Sequence, residues 1–185
     1  LLTAEELPRG VALPFEVEKH CNEISAADGV VIVHPNWWGQ PPAILKGWVD
    51  RVIRPGVAYE FLENDKGEGV PCGLLKVQSA VVFNTSNTET GREKNIFGDP
   101  LEAIWKNCIF GLCGVKSFYR RMFNIVVVSS EEQRKAWLQE VKQTIAASES
   151  ELRARADEIN RNAISFNELK QTMNGFISSG NVKAY

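Results

Sequence analysis

The run Gly29-Val30-Val31-Ile32-Val33-His34 limits what this chain can fold into more than any other feature. Its consecutive β-branched residues lack the polar alternation of a strand wetted on one side, so the run predicts a strand covered on both faces, as in a parallel sheet. Pro35 is expected to end its ladder. Before it, Phe15, Val17, Cys21 and Ile24 recur at three-to-four spacing behind Pro14, predicting a helix that stops before Asp28-Gly29. After it, Pro41-Pro42 opens a helix with Ile44, Leu45, Trp48, Val49 and Val52 on its inner face, stopping near Arg54-Pro55-Gly56.

The strand, loop, helix order then repeats. Val77 to Phe83 reads as a second strand, Asn84 to Phe97 as a long polar loop, and Pro100 to Phe110 as a helix. A third strand lies within Val115 to Val128, divided or bent, with Ile125-Val126-Val127-Val128 read as buried strand. Ser130-Glu131-Glu132-Gln133 is a capping box opening a helix that holds Trp137, Val141 and Ile145. Alternating strands and helices argue for the α/β class, with a parallel sheet, helices on both faces, and ligands beyond the carboxyl ends of the strands. The loops after Val33 and Phe83 are therefore where chemistry is sought.

With 185 residues the chain suits one ordinary domain and some extra, and 44% hydrophobic and 24% charged residues exclude collagen-like, coiled-coil and wholly disordered classes. The main domain is expected over residues 1–147. Residues 148–185 read as a helical extension, charged up to Asn162 and then carrying an apolar stripe from Ile164 to Ile177, with no catalytic role. A net charge of -2 predicts no affinity for nucleic acid, and no apolar run approaches the roughly 18 to 20 residues of a membrane helix. Four cysteines without a Cys-x-x-Cys pair, and only two histidines, point to reduced thiols in a cytoplasmic protein without a metal site. His34, at a strand end, reads as a hydrogen-bonded structural residue rather than a proton carrier.

The loop Pro35-Asn36-Trp37-Trp38-Gly39-Gln40-Pro41-Pro42 places two tryptophans where exposed backbone is expected. They either plug the end of the core or offer flat walls to a planar, partly apolar heterocycle whose polar edge the backbone amides would meet. Farther on, Thr85-Ser86-Asn87 supplies hydroxyls and amides, in a composition also common in plain turns. Lys46, Asp50 and Arg51 read as structural, Lys46 and Asp50 being an i,i+4 pair on a solvated face.

The stretch Pro35 to Val52, with its aromatic pair after Pro, then Pro42-Ala43-Ile44-Leu45-Lys46-Gly47-Trp48 and Asp50-Arg51, resembles the flavodoxin-like NAD(P)H:quinone oxidoreductases, the DT-diaphorase family. The likeness continues through Ala58-Tyr59, Asn84-Thr85-Ser86-Asn87 and Gly98-Asp99-Pro100 to about Ile145. It implies a flavin-dependent enzyme, with FAD or FMN, that moves hydride from NAD(P)H to a quinone or similar flat acceptor by a ping-pong cycle. It also implies a homodimer with the site near the interface, for which Trp48 is a contact candidate. Pro35, Asn36, Trp37, Trp38, Thr85, Ser86 and Asn87 would bind the flavin, and Trp37 and Trp38 would also wall the pocket where nicotinamide and acceptor alternate.

Two departures accompany the likeness. The Tyr and His of the second loop of DT-diaphorase are missing, Phe97 standing where the His would be. Leu1 to Leu7 resembles the segment that follows the family's second strand, so the opening strand and phosphate loop are expected to be absent, leaving the first strand here as an exposed apolar edge. A regulatory or interaction subunit, or an inactive fragment of the enzyme, are the alternative readings.

Overall fold

The computed structural model describes residues 2–61 and 71–178, and for residues 152, 155, 156 and 159–178 the backbone only. Contacts divide the chain between Gln143 and Thr144. The first unit contains α1 (Phe15–Ala26), β1 (Gly29–Pro35), α2 (Ala43–Val52), β2 (Tyr59–Phe61), β3 (Pro71–Gly73), β4 (Ser79–Ser86), α3 (Thr90–Asn95) and α4 (Pro100–Glu102), which runs on as a π-helix over Ala103–Gly111. It closes with β5 (Ser117–Asn124), a 3-10 turn at Val126–Val128, and the start of α5 (Glu131–Ser178). In the second unit the described backbone is helical. The Ile164 to Ile177 stripe lies outside the described side chains.

Three strands pair in parallel in the order β1-β4-β5, with Val31 opposite Val81, Val33 opposite Phe83, and Val81 opposite Tyr119. A separate antiparallel hairpin joins β2 and β3. Parallel partners point to the same side of a sheet. One side carries Ile32, Ala80 and Val82, which pack on Val17, Cys21 and Ile24 of α1, Val49 and Val52 of α2, and Leu101, Trp105 and Phe110. Each large side chain fully buried there contributes about 1.5–3 kcal/mol. The other side carries Phe83 stacked on Phe123, with Trp137 of α5 against Phe123 at 5.5 Å between ring centroids.

β1 is therefore an edge of the sheet among the described residues, and its coverage differs from the expectation. Ile32 is buried, whereas Val31 and Val33 are 51% and 71% exposed. On that side α5 lays Trp137 against Phe123 of β5, while Val31 and Val33 of β1 stay exposed, so the two valines alternate with Ile32 as on a one-sided strand. Pro35 also pairs, opposite Thr85, because a residue at the end of an edge strand loses little by lacking an N–H.

Other local readings are corrected as well. Ile44 is 87% exposed, one residue step of about 100° to the side of the Leu45, Trp48, Val49, Val52 stripe. Trp48 is partly buried and packs against the core cluster. Ile125 to Val128 is not strand: β4 ends at Ser86 opposite Asn124, so the ladder has no further partner, and Val127 and Val128 are exposed. The polar loop after β4 contains α3, whose first amides, Gly91 N–H and Arg92 N–H, donate to the Glu89 carboxylate at 2.9 and 3.0 Å. The capping box holds, with Gln133 N–H donating to Ser130 Oγ at 3.2 Å.

Candidate functional site

The loops at the carboxyl ends of β1 and β4 enclose a cleft of about 770 Å³. Pro35, Asn36, Trp37, Trp38, Thr85, Ser86 and Asn87 all line it. So do Gly39, Thr88, Glu93, Phe97, Pro100 and Val126.

The first wall is a tight hairpin turn. Trp37 N–H donates to Gln40 O and Gln40 N–H to Trp37 O, both at 3.0 Å, while Trp38 and Gly39 take φ values of 57° and 74°. Two positive φ angles between paired ends define a type I′ turn, and its backbone throws the Trp38 ring outward. Trp38 is fully exposed and Trp37 is 59% exposed, so neither plugs the core. Gly39 is required twice over: by its φ, and because a Cβ there would stand 2.6 Å from Pro100 Cγ.

Asn36 pins the turn from below. Its Oδ1 accepts from Gly39 N–H at 2.9 Å, its Nδ2 donates to the buried carboxyl of Glu93 at 3.0 Å, and its backbone N–H donates to Thr85 O at 2.7 Å. One N–H and one lone pair of this side-chain amide are thus engaged within the protein, which fixes its orientation at the cleft.

The second wall follows β4. Ser86 is buried, with Oγ accepting from Thr88 N–H at 3.0 Å, whereas Thr85 and Asn87 are exposed. Asn87 Oδ1 accepts from Val127 N–H at 3.0 Å, fastening the 3-10 turn that brings Val126 to the cleft. Phe97 closes the rim, with the Arg92 guanidinium 5.3 Å from its ring centroid. Among the described residues, Glu93 is the one ionisable residue lining the cleft.

Near the cleft is a charged cluster. Arg120, whose side chain is 5% exposed, donates to Asn84 Oδ1 at 2.7 Å, to Glu102 at 2.9 Å and to Asp99. His34, next to Pro35, is buried, and its Nε2 accepts from the Trp105 indole N–H at 3.0 Å. An indole can only donate, so the proton of the neutral ring lies on Nδ1, which donates to Pro35 O at 2.7 Å. Burial holds the His34 pKa below its usual value, with the Pro35 hydrogen bond opposing and Arg120 reinforcing the shift. As expected, His34 is a bonded structural residue.

The signals missed in the sequence were Glu93, which needs α3 to bring it under Asn36, and Val126, which needs the ladder to end at Asn124. Lys46 and Asp50 pair on α2, and Arg51 forks onto Glu6, so all three are structural. Among the described residues no cluster of three or more His, Cys, Asp or Glu stands ready to hold a metal ion, and no helix is long and apolar enough to cross a membrane.

Residues 5–147 match the family with a flavodoxin-like fold. This chain belongs to that family. Over 143 residues it is 32% identical to an uncharacterized NAD(P)H oxidoreductase of Haemophilus influenzae, covering 75% of this chain and 68% of that protein. A shorter match, 39% over 72 residues, is to FMN-dependent NADH:quinone oxidoreductase 1 of Jannaschia sp., covering 38% of this chain and 35% of that one. Among solved structures, the NAD(P)H:quinone oxidoreductase of Methanothermobacter marburgensis is 25% identical with a TM-score of 0.62, covering 74% of this chain and 66% of that one. This flavodoxin-family chain spans 58–68% of the length of the curated relatives that match most of it.

Proposed function

We propose that this chain carries the flavin-ring and acceptor site of an NAD(P)H:quinone oxidoreductase. The observation that carries the reading is the pair of exposed tryptophans on a rigid turn, facing the loop after β4 across a cleft of small-molecule size. Exposing two indoles costs a fold that could have buried them, and a flat ligand recovers that area by stacking.

The residues fit a flavin ring. Trp37, Phe97 and Val126 offer apolar walls, the hydroxyl of Thr85 stands exposed at the cleft, and the Trp38 and Asn87 N–H groups take no partner among the described residues. A flavin bound there would accept hydride from NAD(P)H and pass two electrons to a quinone. The part of the protein is orientation: the turn presents indole faces, the β4 loop presents hydrogen-bond donors, and the apolar rim excludes water from the stacked rings. The name of the Jannaschia relative favours FMN over FAD. Alternation of nucleotide and acceptor on one face, a cytoplasmic setting suited to free thiols, and pairing of two copies near the cleft complete the reading. The bare Val31 and Val33 edge supports a covering partner.

The test is titration of the purified chain with FMN and FAD, following tryptophan quenching, and then NAD(P)H oxidation with and without a quinone. Among the described residues no lysine, arginine or histidine lines the cleft, and Glu89 already occupies the amides of α3, so ring contacts dominate and weak, micromolar or poorer binding is expected. Absence of any flavin binding at millimolar concentration refutes the proposal. Tight stoichiometric binding refutes its account of the phosphate arm.

A further inference from the structure

We infer that Glu93 is a positioning residue for the tryptophan wall. The inference rests on the reading of the cleft as a ring site, and its geometry stands independently.

Glu93 is 2% exposed on a helix of six residues, α3, where a carboxyl group has little reason to be buried unless it holds something. What it holds is Asn36 Nδ2. That bond decides which way the Asn36 amide faces: with Nδ2 directed at an acceptor, Oδ1 is directed at Gly39 N–H, a group that can only donate. The chain of contacts therefore runs from the wall built after β4, through one side-chain amide, to the left-handed residue next to Trp38. Pro100 closes the turn from the other side, against Gly39 Cα. Two loops that are far apart in sequence are held at one separation, the gap into which a ring must slide.

Without the acceptor at position 93, Asn36 loses its preferred orientation and Gly39 N–H loses its partner for part of the time. The strand beneath is untouched. Glu93 thus sets the width and order of the site through Asn36, and a variant there loosens the wall before it loosens the fold.

Amide hydrogen exchange reads this directly. In Glu93→Leu, Gly39 N–H is expected to exchange about tenfold faster while Val81 N–H in β4 keeps its protection. Glu93→Gln, whose amide oxygen still accepts from Asn36, should restore Gly39 protection. Should Glu93→Leu fail to fold, Glu93→Asp withdraws the carboxyl by one methylene and is expected to show the same selective acceleration. Unchanged Gly39 exchange in a folded variant, or Gly39 and Val81 accelerating together, overturns the proposal. FMN titration of the same variants should show about fivefold weaker binding for Glu93→Leu and none of that loss for Glu93→Gln. A wild-type chain that binds no FMN defeats the functional reading and leaves the exchange result to decide the role of Glu93.

Discussion

Replacing Trp38 with glycine is expected to move stability and ligand affinity in opposite directions. Trp38 is fully exposed and has a φ of 57°, so its ring contributes no burial and its backbone occupies a region that costs a residue with a Cβ about 1–2 kcal/mol. Glycine removes that cost and adds about 0.5–1 kcal/mol of unfolded-state entropy. The net gain is about 0.5–1 kcal/mol, a rise in Tm of about 1–4 °C for a chain of this size. Trp38→Ala keeps the backbone cost and should leave Tm within about 1 °C. Both variants lose one stacking face, worth about 1 kcal/mol or fivefold in the Kd for flavin or acceptor. Differential scanning calorimetry and fluorescence titration measure the two effects separately. A tryptophan that plugged a core would instead cost about 3–5 kcal/mol on removal. A fall in Tm of 10 °C would show that the ring is packed, and unchanged affinity with a raised Tm would show that it walls nothing.

Gly39→Ala should destabilise by about 1–3 kcal/mol in urea unfolding, because its Cβ would meet Pro100 Cγ at 2.6 Å, and Pro100→Ala in the same chain should recover part of that loss. Burial lowers the His34 pKa, so below its usual value of 6.5 the unfolded chain binds the proton that the folded chain refuses. The His34 contribution to stability is then complete above that pH and falls as pH drops toward the folded-state pKa, and denaturant unfolding of His34→Gln should show a flatter profile there. Cys113, buried and with its thiol pushed up to about 11, and Cys21, raised in the same direction, should resist an aromatic disulfide reagent in the native state, while exposed Cys72 and Cys108 react.

The cleft was legible in the sequence where it is built from strand ends. Trp37 and Trp38 follow an unmistakable strand, and Thr85 to Asn87 follow another, so placing both loops at one edge required only a parallel sheet. Glu93 was hidden because α3 is too short for hydrophobic periodicity, and its cap is a glutamate followed by Thr90 and Gly91, which no helix signal singles out. Val126 was hidden for the opposite reason. Ile125 to Val128 looks like strand by composition, but a strand needs a neighbour, and β4 has already ended. Coverage of β1 was misread on the same ground, since continuous valine and isoleucine describe a preference for extended backbone and do not count the helices that arrive to cover it. The Pro100 to Phe110 helix was found, but its π geometry over Ala103–Gly111 was not, because its apolar pattern does not distinguish the two windings.

The burial of Arg120 has a consequence for ionic strength. At 1 M salt the Debye length falls to about 3 Å, and pairs on the surface such as Lys135 with Glu131 lose most of their attraction. A guanidinium only 5% exposed and bonded to Asp99, Glu102 and Asn84 is screened far less, so the strand end and the start of α4 that support Pro100 lose little of their fastening in brine. A ring held by indole faces on that support is gripped by forces that salt scarcely touches, and its affinity should be almost level across the salt series in which a phosphate-anchored ligand would be shed.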